Sequence, residues 1–139
     1  VSAFAPPRLP VIPLLCNVIY AAFLVAMAVV EAVPEYPLGV RLANTQVHAI
    51  AYGGQAALLY WAALRFVQPL TGLVVAWIGA TCFGVITEML QVQVATRAAQ
   101  GVDIVADAFG ATSAVTVLLL ARTCTMTAQA GPWRTDDRP

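Results

Sequence analysis

Four apolar stretches, each close to twenty residues long, leave this chain few architectures to choose from. Residues 14–33 are interrupted only by Asn17 and Glu31. Residues 47–67, 70–91 and 102–121 are similarly poor in charge. About 20 apolar residues at 1.5 Å per residue cross a hydrocarbon core of ~30 Å. In that setting every backbone polar group must be satisfied within its own segment, so each stretch is predicted to be a helix. The expected fold is all-α, a four-helix transmembrane bundle forming one membrane domain over residues 1–139, with a polar tail from 122 onward. Composition agrees: 60% of residues are hydrophobic and 10% charged, against about 25% charged in a soluble domain.

Prolines punctuate the stretches. Pro6, Pro7, Pro10 and Pro13 delay the first helix, Pro34 and Pro37 close it, and Gln68-Pro69 separates the second from the third. The first stretch could also be read as a signal peptide with Ala26-Met27-Ala28 as cleavage site, but its length suits a retained span. Asn44 or Thr45 is placed to cap the second helix.

All seven basic residues are Arg and are balanced by seven acids. No basic patch exists for nucleic acid. Cys16, Cys82 and Cys124 are far apart and make neither a disulfide framework nor a zinc motif. With four spans both termini share one side. Arg8, Arg65, Arg122, Arg134 and Arg138 then face Arg41 and Arg97 across the membrane. That bias predicts cytoplasmic termini in a bacterial inner membrane.

Two rows of small residues suggest where helices approach each other. Gly72, Ala76, Ala80 and Gly84 recur every fourth residue in the third helix, and Ala106, Gly110 and Ala114 do so in the fourth. Such rows let backbones come close in lipid, and the expectation is that these two rows meet. The surface they leave also suits self-association or docking to a larger membrane complex.

Polar residues gather at one end of the predicted bundle. His48, Tyr52 and Gln55 share a face of the second helix, Glu88 and Gln91 close the third, and Asp103 and Asp107 open the fourth, with Arg97 between. Ionisable groups in membrane segments are costly and mark function. Glu88 continues the small-residue row and should point inward, with Arg97 folding over Glu88 and Asp103 as a bidentate partner. Read blandly, these three form a structural clamp, and Asp103 caps its helix. Read functionally, they line a ligand pocket. His48 with Glu88 could do acid–base work, while no Ser or Cys stands beside a base for covalent catalysis. Arg97 would repel a cation and no His-x-x-x-His clamp is present, so the sequence by itself assigns no metal and no cofactor.

At these positions the chain resembles the VanZ-like family of small membrane proteins, named for an accessory protein of teicoplanin resistance. The family pattern runs Asp-Lys-x-x-His-x-x-x-Tyr, then Gly-x-x-x-Glu-x-x-Gln, an Arg six residues on, an Asp six after that, then Asn and Gly. His48, Tyr52, Gly84, Glu88, Gln91, Arg97, Asp103 and Gly110 match at the expected spacings. Asn44 and Thr45 replace the family's Asp and Lys, and Asp107 replaces its Asn. The resemblance implies a role in the cell envelope; joined to the Arg bias, which turns the polar cluster outward, the first reading is a pocket that binds the headgroup of a lipid or cell-wall component. The other reading is an accessory subunit packed against a larger membrane complex.

Overall fold

The computed structural model describes residues 11–29, 44–93 and 101–129. They form four helices: α1 (Val11–Val29), α2 (Asn44–Ala63), α3 (Pro69–Gln91) and α4 (Gly101–Gln129). No strand occurs among the described residues. Three of the four, α1, α3 and α4, are long and apolar enough to cross a membrane, with mean hydropathies of 2.3, 1.9 and 1.9. This is the build of a helical membrane protein.

The prolines act where their chemistry puts them. Pro69 occupies the first turn of α3, where its missing N–H costs nothing, and Gln68 before it is extended (φ −64°, ψ 150°). Pro13 sits within the first turn of α1, so that helix begins at Val11, three residues before the apolar run. The predicted polar tail from 122 is helix as far as Gln129. Nothing between Arg122 and Gln129 breaks a helix, and the hydroxyls of Thr123, Thr125 and Thr127 donate to carbonyls three or four residues back. Those side chains satisfy themselves on their own helix.

α2 and α3 form a central pair, with α1 and α4 on either side; α1 and α4 do not touch among the described residues. Residue partners fix the directions. Asn44 meets Asp103 and His48 meets Asp107, so α2 and α4 run parallel. Tyr52 meets Thr87, and Trp77 Nε1 donates to Thr112 Oγ1 at 2.9 Å, so α3 is antiparallel to both. α1 is held against α2 by Gln55 Nε2 donating to Asn17 Oδ1 (3.0 Å) and Tyr20 donating to the Ala51 carbonyl (3.1 Å). Gln55 thus turns its amide to Asn17 of α1 and does not join His48, which lies two turns away along the helix.

The core is made of small side chains. Ala56, Ala80 and Ala111 meet where α2, α3 and α4 converge, and Tyr60, Leu73 and Ala76 fill the next layer. The small-residue row of α3 is buried throughout. The α4 row faces a different neighbour from the expected one. A Cβ on Gly110 would strike the Ala49 backbone of α2, and Gly53 of α2 lies against the Gly110 carbonyl and Ala114. Ala106 borders a groove with Thr45 and Ala49. α3 instead receives the adjacent α4 face, Asp107 and Ala111. Gly84 makes room for Asp107: a Cβ there would lie 3.0 Å from the Asp107 Cβ and Cγ.

Candidate functional site

Asn44, His48 and Tyr52 are spaced four apart on α2, and Asp103 and Asp107 four apart on α4. Gly84, Thr87, Glu88 and Gln91 line the facing side of α3 and are all buried. Four-residue spacing stacks side chains on one helix face, so three such faces converge at one end of the bundle. His48 lies in the second turn of α2 and Glu88 in the last turn of α3, within roughly 5–9 Å of the helix ends at 1.5 Å per residue.

His48 is the centre of the cluster. Its Nδ1 is 2.8 Å from Asp107 Oδ1. Its Nε2 points between two further carboxylates, 3.8 Å from Asp103 Oδ2 and 4.0 Å from Glu88 Oε1. Both distances exceed a hydrogen bond. Asn44 Nδ2 donates to Asp103 Oδ2 at 2.7 Å, so the residue expected to cap α2 ties α2 to α4. The three acids are deeply enclosed, with Glu88 2%, Asp103 3% and Asp107 0% exposed. Buried carboxylates demand partners. Asp103 Oδ1 and Asp107 Oδ2 accept no hydrogen bond among the described residues.

Below His48 the polar line continues through Tyr52. The two rings lie nearly parallel, with centroids 6.1 Å apart. The Tyr52 hydroxyl bonds Thr87 Oγ1. Thr87 donates its own hydrogen to the Gly84 carbonyl (2.9 Å) and the Phe83 carbonyl (3.2 Å). Carbonyls only accept, so Tyr52 is the donor to Thr87. Gln91 is buried at the end of α3.

Of the residues singled out in the sequence, His48, Glu88, Asp103 and Asp107 meet directly, and Tyr52 and Gln91 lie on the same faces. Arg97, expected to fold over the acids, lies outside the described residues. Asn44 and Thr87 belong to the site and were not assigned to it. A signal existed for each: Asn44 begins the row that leads to His48, and Thr87 adjoins Glu88 on the buried side of α3.

His48, Glu88 and Asp103 each offer one ligand atom, all within 4.8 Å of one another. The described site thus presents one imidazole and three carboxylates, a set rich in acceptors and suited to a cationic or hydrogen-bond-donating group. No family model matches the chain, and no curated protein or solved structure matches it.

Proposed function

We propose that this is a VanZ-like integral membrane protein of the bacterial inner membrane, whose polar cluster is a binding pocket for the headgroup of an envelope lipid or cell-wall component. One observation carries the reading: a partly buried imidazole enclosed by three buried carboxylates lies one to two turns from the end of the bundle. A structural link between helices needs one or two such groups. Three acids around one histidine exceed that need and suit donors on a ligand, such as the hydroxyls or amines of a headgroup. The pattern that carries the family resemblance supports the reading further. His48, Tyr52, Gly84, Glu88, Gln91, Asp103 and Gly110 are matched positions, and they surround one end of α2, α3 and α4. Gly84 and Gly110 serve the same end by admitting Asp107 and the Ala49 backbone.

The Arg bias puts both termini in the cytoplasm and the pocket at the outer leaflet. A reporter fused after Arg122 should read as cytoplasmic; an extracytoplasmic reading reverses the pocket and removes its access to outer-leaflet headgroups. The binding experiment uses the protein in mild detergent with a total envelope lipid extract, followed by native mass spectrometry. A headgroup-bearing lipid retained by the wild type and lost in Glu88→Gln supports the pocket. A protein that retains no lipid and migrates with a stoichiometric partner identifies an accessory subunit instead.

A further inference from the structure

The unmet acceptors around His48 have a common geometric solution. His48 Nε2 has no hydrogen-bond partner among the described residues, although it is aimed between Asp103 Oδ2 and Glu88 Oε1 at 3.8 and 4.0 Å. The imidazole is held from behind by Asp107 Oδ1 on Nδ1 at 2.8 Å. With Nδ1 turned to Asp107, Nε2 is the ring atom that faces the other two carboxylates and is open to an ion. Three carboxylates around one imidazole attract positive charge, whether a second ring proton or a bound cation. The second carboxylate oxygens of Asp103 and Asp107, on side chains more than nine-tenths buried, also lack a hydrogen-bond donor among the described residues.

The spacing matches a metal shell. Tetrahedral zinc with bonds of about 2.0–2.2 Å to nitrogen and carboxylate oxygen places ligand atoms roughly 3.3–3.6 Å apart. The three ligand atoms lie within 4.8 Å of one another, so the widest pair closes by up to about 1.2 Å, shared between two side chains, to complete the shell. A carboxylate on the far ring nitrogen is the usual outer partner of a metal-bound histidine, fixing its tautomer and orientation. Asp107 stands in that position, and the absence of a Cβ on Gly84 makes room for it. Among the described residues the basic side chains are Arg65, just beyond the far end of α2, and Arg122, well along α4, both remote from the cluster.

We propose that His48 Nε2, Glu88 and Asp103 bind a divalent transition-metal ion of the zinc class, with Asp107 orienting the imidazole. The mixed nitrogen and oxygen donors favour zinc or its neighbours over magnesium or calcium. Three protein ligands leave a coordination position for water or for an oxygen of a bound headgroup. The metal site stands independently of the headgroup reading, since it follows from distances within the chain alone.

The test uses the full chain in detergent, stripped with EDTA, freed of chelator and titrated with Zn2+ alone. Bound metal is counted by mass spectrometry after desalting, and folding is followed by circular dichroism. The expected result is one Zn2+ per chain, a raised melting temperature, and affinity weakened at least ~10-fold in Glu88→Gln and in Asp103→Asn. Asp107→Asn should weaken binding ~10- to 100-fold as an outer partner does. Co2+ in place of zinc supplies a readout on the wild type that needs no variant. Visible bands of nitrogen and oxygen ligation support the site, and a thiolate charge-transfer band places the ion on cysteine and overturns it. Folded wild type that binds no Zn2+ overturns the proposal, as does binding undiminished in both single variants. Zn2+ bound only by Arg97→Gln assigns the central position to the Arg97 guanidinium and also overturns it. Lipid retention that survives EDTA in a metal-free protein leaves the headgroup reading standing alone; zinc binding without lipid retention does the reverse.

Discussion

Replacing Gly110 by alanine tests the closest approach in the bundle. The added methyl would lie 2.7 and 2.8 Å from the Ala49 carbonyl carbon and Cα, in addition to meeting the Ala49 carbonyl oxygen. These are backbone atoms of α2 and cannot rotate aside. Restoring ordinary contact, above all with the carbonyl oxygen, requires the two helices to separate by roughly 1 Å or more in an interior packed as densely as a crystal. Overpacking of this kind costs about 1–3 kcal/mol. The separation also stretches the Asn44–Asp103 and His48–Asp107 bonds, which cross the same interface at 2.7 and 2.8 Å. A buried polar group left unmade costs about 1–3 kcal/mol. Alanine returns about 1 kcal/mol through its helix propensity. The net expectation is a loss of about 1–5 kcal/mol. Three glycines serve as controls. A Cβ on Gly101 meets nothing, one on Gly79 meets only the flexible Leu59 Cδ1 at 3.0 Å, and one on Gly53 lies 3.2 Å from the Gly110 carbonyl oxygen. Alanine should be neutral or mildly stabilising at 79 and 101 and cost about 1 kcal/mol or less at 53. Stability is read by titrating the detergent-solubilised protein with SDS and following helix content. Gly110→Ala within ~0.5 kcal/mol of wild type would refute the α2–α4 contact described here.

His48 is the sole histidine, so 15N-histidine labelling reports on the cluster without assignment. Wild type should show a hydrogen held on Nδ1 by Asp107. Gly84→Ala, whose methyl would fall 2.5 Å from Asp107 Oδ2, should abolish that arrangement; an unchanged spectrum would separate Gly84 from the cluster. Tyr52→Phe should cost about 1 kcal/mol, because Thr87 keeps its carbonyl acceptors when the phenol is removed. A loss above ~3 kcal/mol would mean that Tyr52 supports more than this bond. A double-mutant cycle on Asn17→Ala and Gln55→Ala should give a coupling of about 0.6–1.7 kcal/mol, the range of hydrogen bonds between membrane helices. Zero coupling would detach α1 from the bundle.

Hydrophobic length and proline position made the helices legible in the sequence, because both act locally. What periodicity cannot convey is which neighbour a face meets. Ala106, Gly110 and Ala114 are correctly one row, yet the row sits on α2, since α2 and α4 run parallel and offset by 59 residues along the chain. The same limit hid Gln55, whose partner Asn17 appeared only as an interruption in an apolar run. Thr87 carried only the weak signal of its place beside Glu88, because threonine is ordinary in membrane helices; its role follows from Tyr52 arriving from another helix. The site acids were legible for the opposite reason. A carboxylate on a buried row has few ways to be satisfied, so its presence predicts company.

α2 is not among the helices apolar enough to cross a membrane unaided, yet it is one of the central pair. Its Asn44, His48, Tyr52 and Gln55 are bonded to residues of α1, α3 and α4. Biogenesis inherits a problem of timing from this. When α2 leaves the ribosome, α1 can already offer Asn17 and the Tyr20 hydroxyl, but Thr87, Asp103 and Asp107 have not been synthesised. Alone in lipid, its polar face would be costly. The bend between α2 and α3, with backbone bonds at Phe66 and Val67, is short enough for the two to enter as a hairpin. Glu88 comes with that hairpin, whereas the acids of α4 come last. Insertion of α2 therefore precedes completion of its partners, and a chain stalled before Gly101 would hold an exposed histidine in the bilayer, a natural mark for membrane quality control.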